Sequence, residues 1–269
     1  SLFREALESS RRAFGETHIS TISAKTELGG ALYASGQITM AEPCLREALA
    51  ASQAHLGDRH PETLKAMTNL GHVLMDLERF DEALVLYETA RDGLRDALGD
   101  EHPTTLSTTL SIGVVLKSQG KLDDALPLYR EALEGYRRVL GDQHPFTLRA
   151  MNRLGELSLA RDDLDAAQVQ FRDAFTSSRE ALGDDHLETL RSRTSLGTVM
   201  IRLKQFDEAE QLLLKAAEHS DTLPPQHKLR RRVVEQLVSL YETWDDGAAE
   251  GPHASQVAKW RAQQSPAEK

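Results

Sequence analysis

LGDEHPTTL, residues 98–106, occurs almost unchanged three more times: LGDRHPETL from Leu56, LGDQHPFTL from Leu140 and LGDDHLETL from Leu182. A divergent copy, FGETHISTI, starts at Phe14. Each copy begins 42 residues after the one before. A fixed period of about 20–50 residues marks a stacked array, in which each unit buries its apolar side only against its neighbours.

One period, residues 56–97, predicts two helices. Gly57 suits a left-handed position closing the preceding helix. Pro61 suits the first helical turn, where its missing N–H costs nothing, and His60 falls near the N-cap. Leu64, Met67, Leu70, Leu74 and Leu77 then recur at helical spacing. After a short polar break at Glu78–Arg79, a second stripe runs through Phe80, Ala83, Tyr87, Ala90, Leu94 and Leu98. Small residues recur in register: Gly29, Gly71, Gly113, Gly155 and Gly197; Ala41, Ala83, Ala125, Ala167 and Ala209; Ala48, Ala90, Ala132, Ala174 and Ala216. A glycine inside a helix costs about 1 kcal/mol against alanine, so five in register predict close backbone approach there.

Gly71, Leu74, Ala83, Tyr87 and Ala90 match the small–large signature of the tetratricopeptide repeat. With the 42-residue period and the GDxHPxTLxxxxNLG line, residues 1–221 resemble the kinesin-light-chain variety of that repeat, in a bacterial array. The resemblance implies an all-α, right-handed α-solenoid of antiparallel helix pairs. The expected divisions are 1–13, the second helix of a truncated repeat; five repeats at 14–55, 56–97, 98–139, 140–181 and 182–221; capping helices at 222–264; and a frayed tail at 265–269. Starting mid-repeat, the chain reads as a fragment of a longer protein. Its tail, with LYETW at 240–244 and WR at 260–261, resembles the ending of many bacterial arrays, including those behind serine/threonine kinase domains.

Composition narrows the function classes. A net charge of −10 and 5% aromatics argue against nucleic-acid binding, which needs clustered cations and stacking platforms. No apolar run of membrane-spanning length occurs, so no membrane association is expected. A single cysteine, Cys44, permits no intrachain disulfide and fits a cytoplasmic protein, where it reads as core filler. No GxSxG, strand-borne GxGxxG, GxxxxGK or HExxH motif is present. A non-catalytic protein without cofactor is expected.

Five of the ten histidines, His18, His60, His102, His144 and His186, occupy the turn. Packed helices lie about 8–10 Å apart, so one histidine per repeat cannot meet its next copy around a zinc ion, whose ligands stand about 2.1 Å from the metal. A capping role is expected instead, with Asp58, Asp100, Asp142 and Asp184 complementing the following helix N-termini.

In an array of this type the first helices line the concave face. The stripe left after the packing columns is Lys65, Thr68, Asn69, His72 and Asp76 in the second repeat, and Ser111, Val114 and Lys117 in the third. It continues through Arg149, Asn152, Arg153 and Glu156 in the fourth, and Arg191, Ser195, Thr198 and Arg202 in the fifth. Lys65, Lys117, Arg149, Arg153, Arg191 and Arg202 oppose Glu27, Asp76 and Glu156, leaving this stripe positive in an acidic chain. Arginine forks suit carboxylates, which points to an acidic peptide or protein partner. The resemblance adds that Asn69 and Asn152 clamp an extended peptide's backbone. Two other readings stand beside this interaction scaffold. One is a regulatory docking segment of a larger bacterial signalling protein such as a serine/threonine kinase. The other is self-assembly through the apolar side of residues 1–13.

Overall fold

The computed structural model describes residues 2–225, 227–246 and 251–264. The expected frayed tail, 265–269, lies outside them, as does part of the loop before the last helix. Among the described residues every regular element is a helix, and none is long and apolar enough to cross a membrane. The chain forms two compact units, residues 1–135 and 136–269.

The first unit contains α1 (Leu2–Phe14), α2 (Ile19–Ala34), α3 (Ile38–Leu56), α4 (Pro61–Asp76), α5 (Phe80–Leu98), α6 (Pro103–Ser118) and most of α7 (Leu122–Leu140). Helices α1 to α6 each pack on the next, and the first helices of successive pairs, α2 and α4, also touch. The second unit contains the end of α7, then α8 (Pro145–Ala160), α9 (Leu164–Leu182), α10 (Leu187–Arg202), α11 (Phe206–Ser220), α12 (Lys228–Trp244) and α13 (Ala254–Gln264). Here too neighbours pack in order from α8, and α10 touches both α8 and α12. On α1 only Leu7 is buried, while Leu2 and Phe3 are exposed.

The recurrent turn assigns a task to each letter of its motif. Gly57, Gly99 and Gly183 have φ of 89°, 92° and 83° with ψ of 163°, 166° and 172°. That is not the left-handed helical position expected from the sequence but the extended mirror region, essentially closed to any residue with a Cβ. The histidine is the N-cap each time: Nδ1 of His18, His60, His102, His144 and His186 accepts the backbone N–H two residues on, always at 3.2 Å. The ring therefore carries its proton on Nε2. His227 caps α12 identically at 3.3 Å. The threonine reaches back: Oγ1 of Thr21, Thr63, Thr105 and Thr147 donates to the carbonyl of Gly15, Gly57, Gly99 and Gly141 at 2.7–2.9 Å. Three of the four aspartates serve the preceding helix, while Asp184 serves the next one by pairing with Arg193. Asp58 accepts from Gln53 at 2.9 Å, and Asp100 and Asp142 pair with Arg95 and Arg137.

Within each helix pair the turn also repeats. Gly36, Glu78, Gly120, Asp162 and Lys204 all have φ between 58° and 77°. They stand 42 residues apart, so even the charged residues there adopt a conformation that glycine would take without strain.

The helical glycine column has a different cause from the backbone approach expected. A Cβ on Gly71, Gly113 or Gly155 would lie 2.7, 2.5 or 2.8 Å from a ring carbon of Tyr87, Tyr129 or Phe171. At Gly29 and Gly197 the collision is with Leu45 and Leu213. All five of these large side chains are 0% exposed, as are the ten alanines of the two small columns. Each second helix thus lays a large, fully buried side chain on the bare backbone of its own first helix.

Two stability outcomes follow. His102→Ala is expected to lower the unfolding free energy by about 1 kcal/mol, while His102→Asn, which keeps an acceptor, stays close to the parent. Gly113→Ala is expected to cost about 1–3 kcal/mol, because the buried Tyr129 ring cannot retreat, despite alanine's better helix propensity. Denaturant titration followed by circular dichroism checks both; parent-like stability for Gly113→Ala would show that the ring moves freely.

Candidate functional site

Each unit has its own first-helix face, built from α2, α4 and α6 in the first unit and from α8, α10 and α12 in the second. The two are described in turn.

In the first unit the stripe is largely neutralised from within. Lys65 is ion-paired with Glu27 across α2 and α4. Thr68 and Ser111 spend their hydroxyls on the carbonyls of Leu64 and Ser107, four residues back, at 2.8 and 3.0 Å. Tyr33 stacks on His72 with ring centroids 6.3 Å apart, and His72 meets the edge of Tyr87 at 5.5 Å. The Tyr33 hydroxyl donates to Asp76. Burial first, and then the adjacent Asp76 carboxylate, push its pKa up to about 12. Asn69, Val114 and Lys117 are half-buried beside these groups. This stretch presents short polar groups and an aromatic row. Cys44 lies elsewhere, on α3, half-buried with Sγ 3.4 Å from the Lys25 carbonyl; burial raises its pKa.

In the second unit the stripe converges on a carboxylate that the sequence reading did not single out. Glu188, only 4% exposed, lies on the first turn of α10. Arg149 Nε is 3.4 Å from Oε1, and Arg191 Nε is 3.5 Å from Oε2. The Asn152 amide approaches Oε2 at 3.5 Å. One turn along, Arg153 donates to Glu156 at 2.8 Å. Burial pulls the Arg191 guanidinium pKa down; Glu188 opposes this and the nearby Arg153 and Arg149 charges add to it. From α12, Arg232 donates to Ser195 at 3.4 Å, and Gln236 accepts from Thr198 at 2.9 Å. Arg202, at the far end, pairs with Asp162 and donates to the Leu159 carbonyl at 3.4 Å.

Two expected surface residues are not at the surface. Asn152 and Ser195 are both 0% exposed, beneath neighbours on the next helix along. Asn152 is therefore not presented as a peptide clamp. Its amide is turned to Glu188, and its Oδ1 is buried without a hydrogen-bond partner among the described residues.

Glu188 and Arg232 were missed by sequence reasoning, although spacing contained both. Glu188 lies three and seven residues before Arg191 and Ser195, on the same helical row. Arg232 stands five residues after the capping His227, as Arg191 stands five after His186. Reading His227 as another copy of the cap would have placed Arg232 and Gln236 in the Arg191 and Ser195 columns. The unit's face then carries Arg149, Arg153, Arg191 and Arg232 against Glu156 and Glu188.

Four overlapping stretches, residues 20–74, 62–138, 105–180 and 159–221, match the tetratricopeptide repeat. No curated protein matches the chain. Among solved structures, a kinesin light chain protein of nearly identical TPR-like repeats from Podosopora anserina shares 21% identity with a TM-score of 0.63, over 76% of this chain and 98% of that one. BtubC (BKLC) from P. vanneervenii shares 22% with a TM-score of 0.67, over 84% and 91%. The Rap conjugation gene regulator of the plasmid pLS20, solved in complex with the Phr* peptide, shares 16% with a TM-score of 0.71, over 95% of this chain and 64% of that one. The likenesses establish the fold, and the repeat match, spanning residues 20–221, establishes that the chain belongs to the tetratricopeptide-repeat family.

Proposed function

We propose that this chain is a non-catalytic protein-interaction module that takes an extended acidic peptide on the first-helix face of its second unit. The observation that carries the reading is the pairing of Arg149 and Arg191 with Glu188 and of Arg153 with Glu156, with Arg232 on Ser195 of the same face, in a chain of net charge −10. Arg149 and Arg153 keep 45% and 25% of their side-chain surface exposed, so their forks remain reachable. Glu188 holds the cluster together before any ligand arrives, which lowers the ordering cost of binding. A peptide carboxylate would add to guanidiniums whose charge two glutamates only partly balance. The first-unit face, with Lys65 already paired to Glu27, offers less to an anion and more to the polar backbone and side chains of an extended chain. That the pLS20 Rap regulator, similar in fold, was solved in complex with a peptide supports a peptide as the class of ligand.

Acidic and basic peptide pools, applied to the parent and to Arg149→Glu/Arg153→Glu at two salt concentrations, test the reading. The expected outcome is acidic peptides retained by the parent, weakened at least about tenfold in the double variant and weakened by salt. Equal retention of both pools, or acidic binding that survives the charge reversal, would contradict it.

A further inference from the structure

A second cationic site lies elsewhere in the same unit. Helices α9, α10 and α11 border a cavity of about 390 Å³ whose lining includes Phe175, Arg179, Asp184, Arg193, Lys215 and His219. Arg193 is two residues from Arg191, a spacing that turns the two side chains to different sides of α10. Arg193 is 4% exposed. Its Nη2 is bonded to Asp184, but its Nη1 is buried without a hydrogen-bond partner among the described residues. Its guanidinium carbon stands 4.9 Å from the Phe175 ring centroid, and that of Arg179 stands 5.4 Å from the same centroid.

Two guanidiniums therefore converge on one ring. The ring faces favour each cation, but nothing in that contact relieves their mutual repulsion. The other acidic groups at the cavity are engaged. Glu208 accepts from Arg172 at 2.8 Å, and His219 Nδ1 is held 2.6 Å from Asp185. Lys215 pairs with Glu218 at the surface, with both side chains 64% exposed, so the pair is weak and readily exchanged. A buried guanidinium nitrogen left unmatched is costly. Asp184 balances the Arg193 charge, so what remains unmatched is the Nη1 donor, with the Arg179 guanidinium beside it.

We propose that this cavity binds a small phosphate-class oxyanion, either inorganic phosphate or a phosphomonoester. A single arginine fork matches the two oxygens of a carboxylate. Two forks and an ammonium around one space present donors to an anion with three or four oxygens. The volume lies within the range of about 300–1,000 Å³ typical of small-molecule sites, leaving room for the organic part of a monoester beside Phe175. This site is independent of the peptide reading, which uses other residues.

Thermal unfolding of the full chain in inorganic phosphate and, separately, in phenyl phosphate, against chloride and acetate at equal ionic strength, tests it; a larger rise with phenyl phosphate assigns the site to a monoester, and an equal or smaller one to the free ion. Phosphate is expected to raise Tm in the parent above both controls. Arg193→Gln removes the buried contact, but it also strips Asp184 and Phe175 of a partner and can fail to fold. Arg179→Gln, at an exposed position, carries the test: it is expected to fold normally and to lose the phosphate-specific rise. The rise is expected to survive in Arg149→Glu/Arg153→Glu. No phosphate-specific rise in the parent, an equal rise with acetate, or a rise that survives Arg179→Gln would each overturn the assignment.

Discussion

One clip, a glycine that only glycine can be, governs each unit of this protein. Where one hairpin ends, the backbone passes through φ near +90° and ψ near +165°. At four of the five copies a threonine hydroxyl six residues on closes back onto that glycine's carbonyl, and at all five a histidine nitrogen caps the helix that follows. Backbone conformation and two local hydrogen bonds fix the direction in which the next helix leaves. The apolar stripes have no such directionality of their own, because hydrophobic burial scales with area and not with angle. The clip sets the angle and burial supplies most of the energy.

Within each pair, the bare backbone of Gly71, Gly113 and Gly155 gives Tyr87, Tyr129 and Phe171 a place to lie flat. The alanine columns let the remaining turns close to contact. Size alternation across facing positions is what fills a repeat core to native density. It also explains how residues of low hydrophobicity form a dense interior: the chain uses shape, large on small, rather than uniformly large side chains.

The fold was legible because its determinants are local and periodic. GDxHPxTL showed the interval, the helix starts and the histidine caps from one chain. What lay beyond reach was which neighbour answers each residue. The glycine column announced a close approach, but a distant ring and not another backbone fills it. Asp58 and Asp100 looked like partners of the next helix and serve the previous one. Asn152 carried the polar identity of a surface clamp, yet Glu188 from the following repeat draws its amide inward. Such inter-repeat contacts join residues 36 to 39 apart, and no spacing rule within one helix registers them. The arginine stripe was legible as charge, but its organisation around a buried carboxylate was not. A buried charge must be matched by opposite charge and hydrogen bonds, so Glu188 draws Arg149 and Arg191 to itself.

The central claim is that these arginines present a binding surface and do not merely neutralise Glu188. The most direct measurement is to follow arginine side-chain Nε–H resonances in isotope-labelled protein while an acidic peptide is added. The account predicts that Arg149, Arg153, Arg191 and Arg232 shift together, in proportion to bound peptide, while Arg46 and Arg95 on the second helices of the first unit stay still. Shifts spread evenly over all arginines, or confined to those second helices, would contradict it.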